Sequence, residues 1–341
     1  MKAAVYQGNR TITVEDAAMP SIGRNDILVK IMACGICGTD VHIFEGAEGA
    51  AQTNPPVILG HEFSGIVEEV GTDVKNIREG DRVSIDPNNM CGSCYYCQNG
   101  IAHFCENMIG YGTTANGAFA QYWAGHCKQA YQLDDCISFV EGAMVEPIAC
   151  CLHGVDCCEI KAGSTVMIIG GGTIGLIMLQ LVKLAGASTV IVSEPVKEKR
   201  DMAIKVGADI VIDPLHENVQ GMLDQHHIIR INTVIECVGL KATMLDAIKY
   251  VGKNSVAMLF GLGNPNEEIP VKPFELFKKE VSIKASFINP YTQSRALEII
   301  KSGKLDIKSL ISHEIALEEL AEVLSNQEKR KCGKVIVNPF K

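Results

Sequence analysis

The chain has 341 residues, 47% of them hydrophobic and 21% charged, and carries a formal net charge of −9 at pH 7. One core stops growing below this length, so two domains are expected, and the acidic balance excludes nucleic acid or an anionic membrane as partner, since the densest basic run, Lys197 to Arg200, is itself broken by Glu198. With no apolar run of roughly 20 residues to span a bilayer and no signal-peptide core at the start, the protein is expected in the cytoplasm, where its 14 cysteines serve metals or catalysis before disulfides.

Along the chain, "TITVEDA", "DILVKIMACGICG", "FSGIVEEVG" and "DRVSID" are short β-branched runs between Gly, Pro, Asn and Asp turns, so the first part is predicted to be β-rich. Within it, "CGICGTDVH" places Cys37, Thr39, Asp40 and His42 close together, and "VILGHEFSGIVEEVG" sets His61 and Glu62 side by side in an apolar run. Burying such a pair is costly without partners. A Cys and a His from separate segments joined by a carboxylate would make a zinc site with an open position. Next come Cys91, Cys94, Cys97 and Cys105, four thiols that suit a closed, structural tetrahedral Zn²⁺. The spacing departs from that of bacterial iron–sulfur proteins.

From about Lys161 the pattern changes. "STVMIIGGGTIGLIMLQLVKLAGASTVIVSEP" predicts strand, glycine turn, helix, a stop at Gly186 and a second strand. Gly170, Gly172 and Gly175 give the tight turn, the close approach to a pyrophosphate and the helix–strand packing of a dinucleotide site. Glu194 closes the second strand where a carboxylate accepts from a ribose diol, which favours NAD over NADP, while Lys199 nearby pulls the other way. "KEKRDMAIKVGA", "DIVID", "NTVIECVG", "KATMLDAIKYV" and "SVAMLFGL" continue the alternation, so a doubly wound parallel sheet is expected. After "VSIKASF" come the helices "SRALEIIKSG" and "ALEELAEVLSNQ" and a last strand, "GKVIVNP".

Cys37-Gly-Thr39-Asp40-x-His42, Gly60-His61-Glu62, the four-cysteine lobe, Glu146-Pro147 and Gly170-x-Gly172-x-x-Gly175 stand in the order and spacing of the medium-chain, zinc-dependent alcohol dehydrogenases. The sequence resembles them over essentially its whole length. It is most similar to the polyol (sorbitol-type), butanediol and threonine dehydrogenases, because Glu146 stands where the classical alcohol dehydrogenases carry a cysteine ligand.

The resemblance implies an α/β chain: a GroES-like β-rich catalytic domain over 1–145 and 286–341 around a Rossmann domain over 146–285. It implies two zincs per chain. Cys37 and His61 would bind the catalytic one, with Glu62 and Glu146 on its carboxylate side, directly or through water; Cys150 and Cys151 stand near enough in sequence to compete. Asp40 would hold the imidazole, Thr39 would pass the alcohol proton toward His42, and Cys237, Phe260, Ser286 and Phe287 would line the nicotinamide pocket. Zinc would ease loss of the hydroxyl proton while hydride leaves the same carbon for NAD, and a hydroxyl followed by a histidine is a workable exit for that proton.

The expected activity is reversible oxidation of a secondary hydroxyl of a small polyol to a ketone. A vicinal diol such as butanediol is the runner-up and L-threonine the third choice. Family members are homodimers or homotetramers. A zinc-free quinone reductase on the same fold would lack Cys37, His61, Glu62 and the lobe. A non-catalytic zinc-binding module would have no use for Thr39 and His42. The loops Ile43 to Pro56 and Met108 to Gly117 are expected to shape the substrate pocket.

Overall fold

A computed structural model of the chain describes residues 1–47 and 52–341, so 48–51, inside the first of those two loops, lie outside the described residues. The chain divides into two compact units, Met1–Ala149 with Pro290–Lys341, and Cys150–Asn289. The sequence puts the joints after residues 145 and 285. The first joint instead falls within a helix, Val145–Cys158, which carries the chain out of one unit and into the other.

The first unit is built on a seven-stranded sheet. Its long central strand, Asp26–Gly35, pairs antiparallel with Glu62–Val70, Tyr122–His126 and Lys334–Val337, and beyond the last lies Ile311–Ile315. A three-stranded sheet of Thr11–Asp16, Lys2–Gly8 and Val57–Ile58 adds to the same unit. Alternating inward residues such as Ile27, Val29, Ile31, Phe63 and Val67 are fully or almost fully buried, and the core continues through Phe119 and Trp123. Side chains two residues apart lie on the same face of a strand, so these residues share the core side.

In the second unit six parallel strands run in the order Ile210–Ile212, Thr189–Ser193, Thr165–Ile169, Thr233–Glu236, Val256–Leu259 and Ser282–Ala285. The chain works outward from Thr165–Ile169 to one edge, then returns beside it and works to the other. That reversal is the switch point at which doubly wound sheets hold their ligands, outside the carboxyl ends of the strands. The helix Val219–Gln225, started by the Asn218 side chain, has no counterpart in the sequence reading. Its short, weakly periodic sequence explains why.

Candidate active site

Cys37 is the N-cap of the helix Gly38–Phe44, and its backbone N–H donates to Asp40 Oδ2 at 2.8 Å. Asp40 is completely buried. Its other oxygen faces His61 Nδ1 at 3.3 Å, an ion-pair distance without hydrogen-bond alignment, and neither atom has another partner. One short side chain thus fixes the helix start that carries Cys37 and confronts the imidazole. Thr39 and His42, half-buried, are three residues apart on that helix and so share a face.

His61 follows Gly60, whose φ of +93° lies in the left-handed region, and a Cβ there would run into Phe119 and Cys34 Sγ. Glu62 opens the next strand in register with Gly35. A Cβ on Gly35 would collide with Glu62 Oε2, so both glycines are required for the approach. The outcome is that Cys37 Sγ, a His61 ring nitrogen and a Glu62 oxygen lie within 4.8 Å of one another. The donor set, one thiol, one imidazole and one carboxylate, is that of an open zinc site. Burial works against the imidazolium of His61, but Asp40 and Cys37 outweigh it and hold its pKa well above the usual value.

A lysine absent from the sequence-predicted site completes the picture. Lys334 Nζ donates to both Glu62 oxygens, at 2.8 and 2.6 Å, and to the Ile36 carbonyl at 3.1 Å. Lys334 is 6% exposed and Glu62 1%. Burial alone would discharge the ammonium; Glu62 and Cys37 outweigh it and raise its pKa. The one sequence signal was a charged residue opening the otherwise apolar "KVIV". Glu146 is also buried, in the first turn of its helix, and its charge bears on Lys334, yet its oxygens fall outside the cluster of Cys37, His61 and Glu62. Cys151 turns toward the Ile174 carbonyl at 4.0 Å instead.

Cys91, Cys94, Cys97 and Cys105 form a second group of ligand atoms within 4.8 Å of one another. Cys91 and Cys97 Sγ are 4.0 Å apart, near the roughly 3.8 Å edge of a tetrahedron with Zn–S of about 2.3 Å. The Ser93 and Cys94 N–H groups donate to Cys91 Sγ and lower its pKa to about 5. Burial and the neighbouring thiols push Cys97 up to about 12.

In the second unit the glycine turn fits a dinucleotide. A Cβ at Gly175 would strike the Gly170 carbonyl, whereas one at Gly172 would meet nothing within 4 Å. The helix Thr173–Leu184 begins at Gly172 with no side-chain cap, leaving its first N–H groups for phosphate oxygens. Glu194 does more than the sequence suggested: Oε2 accepts from the Gly171 N–H at 2.7 Å and Oε1 from the Val196 N–H at 2.9 Å, so the carboxylate braces the turn it faces. Lys199 lies half-exposed on the helix Lys197–Lys205. Arg200, not singled out from sequence, donates to the Glu194 and Pro195 carbonyls, both at 2.7 Å, and pairs with Asp213 at 3.0 Å. Cys237, Phe260 and Ser286 each follow a strand of the parallel sheet, with Phe287 one residue on, and so stand at the edge that carries Gly170.

Residues 23–135 match the family of alcohol dehydrogenase GroES-like domains, and 173–302 the zinc-binding dehydrogenase family. The D-arabinitol dehydrogenase 1 of Uromyces fabae is 32% identical over 99% of this chain and 97% of its own. The L-threonine 3-dehydrogenase of Pyrococcus furiosus is 33% identical over 98% and 97%. A Sinorhizobium meliloti protein described as a zinc-binding dehydrogenase, whose crystal structure holds NADP, is 39% identical over 99% of both chains, with a TM-score of 0.92. The chain belongs to the zinc-dependent alcohol dehydrogenases, as an oxidoreductase that uses zinc and NAD(P).

Proposed function

We propose that the protein oxidises a secondary hydroxyl of a small polyol to a ketone with NAD. The observation that carries this is the donor set: a carboxylate, Glu62, stands with Cys37 and His61, and a second, Glu146, is held nearby in place of another thiol. The identity with a D-arabinitol dehydrogenase supports the same substrate class. Glu194 beside the glycine turn favours a ribose diol over a 2′-phosphate.

In this reading Cys37, His61 and Glu62 hold the catalytic zinc, Glu146 stands in reserve on the carboxylate side, and the four-cysteine lobe holds the structural one. When bound, the catalytic zinc supplies Lewis acidity toward a substrate hydroxyl. Asp40 keeps His61 from turning. Thr39 Oγ1 and His42, on one helix face, carry the hydroxyl proton outward, the imidazole accepting it at a ring nitrogen. Gly170, Gly172 and the helix they start hold the pyrophosphate, and Cys237, Phe260, Ser286 and Phe287 border the nicotinamide.

The test is NAD and NADP reduction across polyols, vicinal diols and 3-hydroxy amino acids, with zinc measured on the same preparation. Turnover of polyols with NAD and two zincs per chain is expected; turnover of L-threonine alone would replace the reading with that of the equally similar P. furiosus relative. Cys37→Ser should abolish turnover and leave the protein folded. A fully active Cys37→Ser enzyme would refute the metal assignment.

A further inference from the structure

Glu236 ends the strand Thr233–Glu236 in register with Ile169, one residue before Gly170, and with Leu259 on the other side. It therefore sits at the switch point, on the half of the sheet where a dinucleotide crossing from the glycine turn lays its nicotinamide side. Its side chain is fully buried. Oε1 is saturated, accepting from the Val238 N–H at 2.7 Å, the Gly239 N–H at 2.8 Å and Thr243 Oγ1 at 2.8 Å. Oε2 is buried with no hydrogen-bond partner. Its neighbour is Gly261, where a Cβ would strike the Gly239 backbone and stand 2.8 Å from that oxygen, so only a glycine lets the two backbones and the carboxylate come this close. Among the described residues no lysine or arginine pairs with this carboxylate.

A buried carboxylate with one oxygen braced and the other bare needs either a donor or a positive charge. Structural bracing explains Oε1 alone. The oxidised cofactor brings a cationic pyridinium ring to this half of the crevice, and the reduced cofactor a neutral dihydropyridine. We propose that Glu236 discriminates between the two redox states of the cofactor, its free Oε2 supplying the counter-charge to the oxidised nicotinamide. The proposal does not depend on the substrate.

The experiment measures dissociation constants of NAD⁺, NADH and ADP-ribose, which lacks the ring, for the zinc-loaded protein and for Glu236→Gln, by calorimetry. The amide keeps an acceptor for the loop but loses the charge. NAD⁺ should weaken about tenfold, with NADH and ADP-ribose changed less than about twofold. An equal loss for all three, or none, would overturn the proposal and leave Glu236 as a loop brace. Should Glu236→Gln not fold, Glu236→Asp keeps the charge and withdraws it by about one methylene from the nicotinamide half. NAD⁺ should then weaken about fivefold or more relative to ADP-ribose. Parallel losses overturn the idea here too.

Discussion

Lys334 and Glu62 hold each other at 2.6 Å inside the protein, so neither charge can be removed singly without exposing the other to an apolar interior. Lys334→Met is expected to cost about 3–5 kcal/mol in urea unfolding, and the double variant Lys334→Met, Glu62→Gln to recover most of it. An additive double variant would mean the pair is idle. At this scale the sequence was half legible. His61, Glu62, Cys37 and Asp40 announce themselves by residue type and spacing, since few apolar strands tolerate such neighbours. Lys334 did not, because its partner is 272 residues away and a lone lysine opening a strand is usually a surface residue.

Whole elements explain how these side chains meet. The register Gly35↔Glu62 brings two segments together only because glycine stands on one side of the pair. The same close approach governs the nucleotide turn. Gly175→Ala should raise the dissociation constant for NAD at least about tenfold, its methyl displacing the Gly170 carbonyl and with it the helix proposed to hold the pyrophosphate. Unchanged binding would show that the turn can yield. The cysteine lobe offers a pH test. Stripped of zinc, Cys91 is a thiolate above about pH 5, whereas Cys97 stays a thiol until about pH 12. Iodoacetamide at pH 7 should therefore modify Cys91 first and Cys97 last, read by peptide mass spectrometry. Lowering the pH below about 5 should slow the modification of Cys91 by about tenfold per pH unit. The lobe was legible from spacing alone. The helix Phe139–Ala143 was not, because its start rests on the reciprocal bonds of Ser138 and Glu141, too short a signal to separate from a turn.

Across the whole molecule, strand–helix alternation gave away the parallel sheet, and even the order of its strands follows from one reversal at the glycine turn. The first unit was harder to read, because its sheet is closed by the far end of the chain. Lys334–Val337 lies between Asp26–Gly35 and Ile311–Ile315, inside the sheet and not at its edge. A chain cut after Arg330 should lose a central strand and aggregate, whereas removing only Phe340 and Lys341 should be tolerated; sedimentation of the two variants distinguishes them.

The placement of Lys334 also sets a timetable. A ribosome makes Cys37, His61 and Glu62 well before the positive charge that lets Glu62 enter the interior, which follows 272 residues after Glu62. Until then the carboxylate has every reason to remain in water, and the three ligand atoms have no shared position to occupy. Metal capture by the three residues proposed to hold the catalytic zinc would then wait for Lys334, which spares the growing chain from locking an ion into a half-built sheet.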